Sequence, residues 1–390
     1  MLQKNYLMSM SLNANFEPVR QNNRTSLSKS LIRNIDIAKM LGLSEGDLIS
    51  AYQLTEFNQA SKSLNHVESY LRHHDLPMVS LMLKSDWPMI LQSLKDFGEV
   101  MALTRNDACV HEKLGIYENF QSMEEVGLFV GEIDLRIFYR QWYAGYLLIE
   151  HKGGKIVRSL QFFNQYGLAI HKIYLRGNFE DSILDNFIQE FAHDGLRENG
   201  QCHVPSCVYG KLGLPVGKSI VVSAGFDRKK FRDAWSGMRD THEFSELLEE
   251  FRLERIQALH TIGKDYAQSL ELDQLEDVLR SAVNDRVPLM IFVGNGSVIQ
   301  IHTGLIHKLS TIGSWLNVMD GSFNLHLRQS LVASVWLVRK PTVDGIVSSI
   351  EVFDRHGELI MMIFGERKPG QLERCDWRQL LEHTIEEQVS

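Results

Sequence analysis

Two stretches of this 390-residue chain decide its fold, VRSLQFFNQYGLAIHKIYL (residues 157–175) and VSSIEVFDRHGELIMMIFG (residues 347–365). They align without a gap, and the same constant offset also places Asp134 opposite Asn324. The aligned positions include Ser159 with Ser349, Phe163 with Phe353, and Gly167 with Gly357. The two copies lie nearly half the chain apart, which is too far for a solenoid unit, so the repeat indicates that a whole sheet domain has been duplicated.

The sequence around these stretches favours an α+β fold of two tandem, structurally similar halves. Between Leu91 and Arg176 the apolar residues recur with a period near two, and a second such series begins at Pro288, which is the pattern of long antiparallel strands. Helical patterns flank both series. The predicted organisation is an extension over 1–26, a first repeat over 27–200, a connector over 201–225 and a second repeat over 226–390.

The composition predicts a folded cytoplasmic protein. Hydrophobic residues make up 44% of the chain and charged residues 23%, which is enough to build ordinary cores. The chain contains neither a run of about 18 apolar residues nor a signal-peptide core, so membrane insertion and secretion are not expected. The four cysteines have no framework spacing, which fits a reducing compartment.

A helix-turn-helix pattern near the start of the chain raises DNA binding as an alternative. Residues 35–51, IDIAKMLGLSEGDLISA, resemble two helices joined at a glycine turn. A helix that contacts base edges needs Arg, Lys, Asn or Gln, yet the second helix carries two acidic residues in its first turn, and the net charge of the chain is −8. Because DNA affinity depends largely on neutralising phosphates, a DNA-binding regulator is disfavoured and no specific nucleic acid is expected.

Two further motifs fail on their spacing. GLPVGKS (residues 213–219) has three residues between its glycines, whereas a phosphate loop has four, and the strand-like IVVSAG follows where a helix is needed. Cys202, His203 and Cys207 lie close together, but a zinc site needs about four ligands and no second pair lies nearby. The sequence therefore predicts neither nucleotide binding nor a zinc site.

The stretch WSGMRDTHEFSELLEEFRLER (residues 235–255) predicts a polar helix that carries one well-placed histidine, His242. Its buried face is predicted from apolar residues at three- and four-residue steps, namely Met238, Phe244, Leu247, Leu248 and Phe251. His242 lies off this face, and Asp240 could hydrogen-bond its imidazole or cap the helix. An oriented, unburied histidine is what a haem iron requires of a protein, and a solvated surface histidine is the alternative.

Motifs along both halves resemble one family, the HemS/ChuS-type haemin-degrading and haemin-transport proteins of bacterial haem uptake. The motifs are ACVHEKLG (108–115), DLRIFYRQW (134–142), SLQFF (159–163), WSGMRDTHEF (235–244), FVGN (292–295), VIQIHTG (298–304), WLVRKPTVDG (336–345) and SIEVFDRHGELI (349–360). The resemblance runs in order from about Ile35 to the C-terminus. It implies two similar halves, each a large antiparallel sheet with helices, that bind one haem between their parts.

The resemblance also implies residues that contact the iron and the haem faces. The histidine of the family's WxxMxDxHxF stretch ligates the iron, and here that residue is His242. The arginine of the DLR motif, Arg136, approaches the other haem face as the catalytic donor, with Phe138 two residues on along the same strand face. His111, in ACVHEKLG, matches a family histidine that would form a second haem site, although a buried structural histidine is the alternative.

Basic residues are implied for the two haem propionates. Arg255 follows His242 by thirteen residues, and Lys340 and Arg367 match basic positions near the last strands; solvated strand-end charges are the alternative for these two. On one straight helix, thirteen residues at about 100° each would turn Arg255 away from His242, so a bend is expected near Arg252 and Leu253. Phe364 stands where relatives often carry a tyrosine, which removes one hydroxyl contact to a propionate.

Two functions follow from the resemblance. In the first, the protein opens the haem ring and frees the iron, using an external electron donor. In the second, it is a carrier that receives haem behind an inner-membrane importer and delivers it to a separate haem oxygenase. Both functions need the same haem site, so the sequence leaves the choice between them open.

Overall fold

The computed structural model of the protein describes residues 32–54, 63–177, 179–193, 197–198, 201–202, 221–223, 225–368 and 370–386. The predicted extension over 1–26 and most of the predicted connector, including His203, Cys207 and residues 213–219, lie outside the described residues. The chain divides into two compact units. The first unit comprises Met1–Leu103, Leu114–Leu212 and Gly296–Val298, and the second comprises Thr104–Lys113, Gly213–Asn295 and Ile299–Ser390.

The predicted α+β class is confirmed. Over the described residues the strands make up two antiparallel sheets of nine strands each, flanked by helices, and one short two-stranded ribbon. None of the described helices combines the length and the apolar character that a membrane crossing requires.

Among its described residues, the first unit contains five α-helices, and five of its strands follow one another in one antiparallel order. Its helices are α1 (Asn34–Leu41), α2 (Glu45–Ser50), α3 (Leu64–His73), α4 (Trp87–Ser93) and α5 (Asp181–Phe191). Its strands are β1 (Met78–Met82), β2 (Val100–Arg105), β4 (Gln121–Met123), β5 (Val126–Phe129), β6 (Asp134–Phe138), β7 (Ala144–Lys152), β8 (Lys155–Phe163), β9 (Ala169–Leu175), β10 (Arg197–Glu198) and β11 (Gln201–Cys202). The strand orders within this unit are β1-β7-β8-β9-β2 and β6-β5-β4.

The second unit likewise combines α-helices with antiparallel strands. Its helices are α6 (Arg228–Ser236), α7 (Glu243–Phe251), α8 (Arg255–Ile262), α9 (Leu272–Asn284) and α10 (Cys375–Leu381), which continues as a π-helix over Glu382–Glu386. Its strands are β3 (Cys109–Gly115), β12 (Ala267–Leu270), β13 (Leu289–Gly294), β14 (Val298–Gly304), β15 (Leu309–Ile312), β16 (Trp315–Met319), β17 (Phe323–Arg328), β18 (Ser334–Thr342), β19 (Gly345–Phe353) and β20 (Leu359–Gly365). The orders are β12-β18-β19-β20-β13-β14 and β3-β17-β16-β15.

The strand bounds repeat at the predicted offset. Strands β18, β19 and β20 begin and end at the positions that align with the first and last residues of β7, β8 and β9. The turns that follow β8 and β19 each contain a glycine with a positive φ, +70° at Gly167 and +76° at Gly357, a conformation that glycine adopts without strain. Asp134 begins β6 and Asn324 lies in β17, and each strand runs into a short 3-10 turn. The segments from Asp134 and Asn324 therefore occupy equivalent strands, as predicted.

The sheet of the second unit carries helices on both faces. Side chains alternate between the faces of a strand, so Leu337 and Val352 pack into one core with α9 and α10. Trp336, Val338 and Phe353 point the other way and pack with α6, α7 and α8 in a second core. This second face is the one that carries the His242 segment.

The helix-turn-helix-like segment is part of a core in the first unit. Leu48 and Ile49 of α2 are fully buried, and the Gly46 N–H donates to the Gly167 carbonyl at 2.9 Å. The buried Glu45 carboxylate pairs with Lys172 Nζ at 2.5 Å. Helix α2 therefore buries the residues that a recognition helix would have to present.

Candidate functional site

The predicted polar helix over 235–255 is interrupted at His242. Helix α6 ends at Ser236, α7 begins at Glu243, and His242 is the residue immediately before α7. The cause is local, because Asp240 Oδ1 accepts the backbone N–H of His242 at 2.8 Å, and this turn competes with the helical hydrogen bonds. The prediction of one helix running through His242 is therefore wrong.

Asp240 also holds the imidazole of His242. The Nδ1 atom lies 2.6 Å from Asp240 Oδ1, and 94% of the His242 side chain is exposed. The backbone N–H and then the imidazole of His242 hold the pKa of Asp240 below its ordinary value, so the carboxylate is ionised and can only accept. In the neutral imidazole, Nδ1 therefore carries the proton and the lone pair of Nε2 is left for a metal.

The bend expected near Arg252 and Leu253 is confirmed. Helix α7 ends at Phe251, Arg252 adopts the left-handed conformation with φ +52°, and α8 begins at Arg255. The bend turns Arg255 towards the sheet instead of continuing along α7.

Arg255 meets two charged residues of the sheet, and the three side chains form what we call the Glu351 cluster (Arg255, Lys340 and Glu351). Nη1 of Arg255 donates to both carboxylate oxygens of Glu351 at 2.8 Å. Nζ of Lys340 donates to Glu351 Oε1 at 2.7 Å. The exposed fractions of the side chains are 24% for Arg255, 4% for Lys340 and 0% for Glu351.

The Glu351 cluster lies against the helix that begins beside His242. Along β18 and β19, Lys340 and Glu351 point to the face opposite that of Leu337 and Val352. They therefore share the sheet face of Val338 and Phe353. The ring of Phe244, in the first turn of α7, lies 4.8 Å from Arg255 Cζ and 4.4 Å from Lys340 Nζ. The two cations therefore contact the first turn of α7, which begins directly after His242.

Electrostatics keeps Glu351 ionised. Burial alone would raise the pKa of this carboxyl, but Arg255 and Lys340 outweigh burial and lower the pKa to about 2. Lys340 is buried and paired with Glu351, and its predicted contact with a propionate stays a prediction. Glu351 was not predicted from the sequence as a site residue. It is an acidic residue within the apolar run SIEVF, on the strand next to the basic RKP segment, and this pattern could have indicated an ion pair.

Arg367 lies beside the turn that carries Asp240. Its charge helps to lower the pKa of Asp240, and its Nη2 lies 3.6 Å from Asp344 Oδ2. Nε of Arg367 is buried and has no acceptor among the described residues. Val343 joins this hairpin to the turn by donating its N–H to the Arg239 carbonyl at 3.0 Å.

Arg136 and Phe138 lie on β6 of the first unit. Nη1 of Arg136 donates to the Asp134 carboxylate and to the carbonyls of Phe129, at 3.4 Å, and Leu135, at 3.2 Å. Burial raises the pKa of Asp134, and the Arg136 charge opposes that rise. The Arg136 side chain remains 36% exposed, so it keeps access to solvent as well as its local partners.

His111 is a core residue of the second unit. It lies on β3 opposite Leu325, its exposed fraction is 0%, and its ring centroid is 4.9 Å from that of Phe323. The ring of His302 stacks on Phe323 at 3.8 Å. His111 is thus buried beside the ring of Phe323, and its role as a second haem ligand stays a prediction.

Comparisons with known proteins agree on one family. The haemin-degrading HemS.ChuX domain matches this chain twice, over residues 68–191 and 252–384. The hemin transport protein HmuS of Yersinia pestis is 34% identical over 325 residues, which cover 83% of this chain and 91% of HmuS.

Two solved structures resemble nearly the whole chain. Holo-PhuS, a heme-binding protein from Pseudomonas aeruginosa, is 33% identical with a TM-score of 0.78 and covers 95% of this chain and 97% of its own. The heme degrading enzyme ChuS of Escherichia coli is 28% identical with a TM-score of 0.75 and covers 96% of this chain and 99% of its own.

Proposed function

This chain belongs to the HemS/ChuX family of haemin-degrading proteins, and from that membership we propose that it binds haem in bacterial haem utilisation, with His242 as the axial ligand of the iron. The observation that carries the proposal is the exposed imidazole of His242, whose Nδ1 is hydrogen-bonded to Asp240. A ligating histidine commonly donates its second ring N–H to a carboxylate, which fixes the tautomer and the ring orientation.

The donors around His242 suit the two propionates of haem. Among the described residues, Nε and Nη2 of Arg255 have no hydrogen-bond acceptor, because its contacts are made by Nη1. Arg367 is a second, partly exposed guanidinium, and its Nε has no acceptor among the described residues. Guanidinium groups bind carboxylates through such pairs of N–H donors, so these arginines are the proposed propionate contacts.

Substitution of the ligand tests this proposal. His242→Ala should lose the Soret spectrum of the histidine-ligated complex, and its haem affinity should fall by more than the roughly 10- to 100-fold that loss of an outer hydrogen-bond partner of a ligand costs. His307→Ala, which removes another exposed histidine of the second unit, is the matched control and should bind haem as the wild type does. An unchanged spectrum and affinity in His242→Ala would transfer the ligand role to another histidine, with His111 first.

For the chemistry, we propose that the protein degrades haem and releases the iron. The guanidinium of Arg136 can donate several hydrogen bonds, which suits a residue that stabilises charge developing at the iron during ring opening. Ring opening consumes electrons, so the activity requires an external electron donor. We propose a cytoplasmic setting, as the cysteine usage suggests.

The second candidate is a haem carrier. PhuS is described as a heme-binding protein and ChuS as a heme degrading enzyme, so the relatives include both kinds. A carrier needs the ligand and the propionate contacts but not Arg136, and its partners would be an inner-membrane haem importer and a separate haem oxygenase. Arg136 is therefore the residue whose substitution separates the two functions.

A further inference from the structure

The charges of the Glu351 cluster do not balance. Arg255 and Lys340 contribute two positive charges, and Glu351, whose pKa is about 2, contributes one negative charge at neutral pH. The cluster therefore carries a net charge of +1 in a largely buried place. Buried charge is costly unless a counter-charge with good hydrogen-bond geometry accompanies it, so the cluster is short of one anion.

The cluster also has hydrogen-bond donors to spare. Within the described part of the chain, Arg255 uses Nη1 for both oxygens of Glu351 and for Met362 Sδ, and its Nε and Nη2 have no acceptor. Its side chain is 24% exposed, so a ligand can reach it, whereas Lys340 is closed off. One additional carboxylate would satisfy both the charge and the donors.

The first unit has different residues at the positions that correspond to Lys340 and Glu351. At the offset that aligns the two halves, Gln161 stands in the place of Glu351 and Glu150 in the place of Lys340. Gln161 is neutral and donates to Ser159 Oγ at 3.0 Å, and Glu150 accepts from Asn34 at 2.8 Å. The cation pair with a shared carboxylate is therefore a property of the second unit.

We infer that the carboxylate of Glu351 competes with a haem propionate for the same cations. Glu351 thereby lowers the affinity of the protein for haem. The inference rests on the proposed function. One propionate at Arg255 brings the cluster to neutrality, while Lys340 stays with Glu351. The second propionate is held elsewhere, and the partly exposed guanidinium of Arg367 is the proposed contact for it. Because Glu351 and the bound propionate repel each other across one guanidinium, the haem complex is weaker than it would be with a neutral residue at position 351.

Glu351→Gln tests this inference because it removes the charge at almost constant volume and installs the residue found at the counterpart position, Gln161. The rate of haem release would be measured by transfer to excess apomyoglobin, once with haem and once with haem dimethyl ester, which lacks free carboxylates. The variant should release haem about tenfold more slowly than wild type or slower still. With the dimethyl ester the two proteins should release at the same rate. Glu351→Asp keeps the charge and should release haem faster than Glu351→Gln.

The outcomes are distinguishable. If Glu351→Gln releases haem as fast as wild type or faster, or slows the release of the ester as much as that of haem, the inference is wrong while haem binding itself stands. If wild type binds neither compound, the proposed function fails and the inference fails with it. Should Glu351→Gln not fold, the double variant Glu351→Gln/Lys340→Met leaves only the partly exposed Arg255 without a carboxylate, and it must release haem more slowly than Lys340→Met, which keeps the charge of Glu351.

Discussion

Lowering the pH should reduce the free energy of unfolding by a defined amount, because it protonates the carboxylate of Glu351. This effect should occur whether or not haem is bound. Arg255 and Lys340 overcome the effect of burial and lower the pKa of this carboxyl from its ordinary value of 4.5 to about 2. A group whose pKa is lower in the folded state stabilises that state above the unfolded pKa, and the stabilisation is lost as the pH falls through the folded pKa. The window is therefore about pH 4.5 down to 2, and the difference in pKa corresponds to about 3 kcal/mol.

The measurement is the free energy of unfolding from urea titrations of the haem-free protein at several pH values between 7 and 2. Wild type should lose about 3 kcal/mol more than Glu351→Gln across the window, because the variant has no carboxyl to protonate at that position. Glu246→Gln, which neutralises an exposed carboxylate on α7, should follow the wild-type curve. At pH 7 Glu351→Gln should itself be less stable than wild type, since it leaves two cations without their shared carboxylate. Parallel pH curves for wild type and Glu351→Gln would refute the account of the cluster.

Two predictions concern the haem complex. Asp240→Asn should weaken haem binding by about tenfold and alter the Soret spectrum, because the amide no longer fixes the protonated Nδ1 of His242; equal affinity and an identical spectrum would show that Asp240 does not orient the ligand. Arg136→Ala should leave haem binding largely intact and slow ring opening by about 100-fold or more, as loss of a preorganised donor does. That assay follows Soret loss and chelatable iron release with an electron donor, oxygen and catalase, and Arg140→Ala, an exposed arginine nearby, is the control. If catalase abolishes the reaction, or if Arg136→Ala reacts as fast as wild type, the protein is a carrier.

The sequence determined the features that depend on local or periodic patterns. The alternation of apolar residues located the strands, and the gap-free alignment located the three strand pairs that repeat between the two halves at one constant offset. The two-residue spacing of Asp240 and His242 was enough to predict their hydrogen bond, because both groups belong to one turn. The helical period likewise required the bend at Arg252.

Only the tertiary structure decided which charges are paired and which residues are buried. Arg255 and Glu351 are separated by 96 residues in sequence, and their contact exists because α8 packs on the β18–β19 face. The sequence left Lys340 as either a propionate contact or a solvated strand-end charge. Packing buries it beside Glu351, and the same long-range packing places His111 beside the ring of Phe323. The physical reason is that a periodic pattern fixes which face of a strand a residue occupies, whereas the charges and rings that meet on that face come from segments brought together only when the sheet and its helices pack.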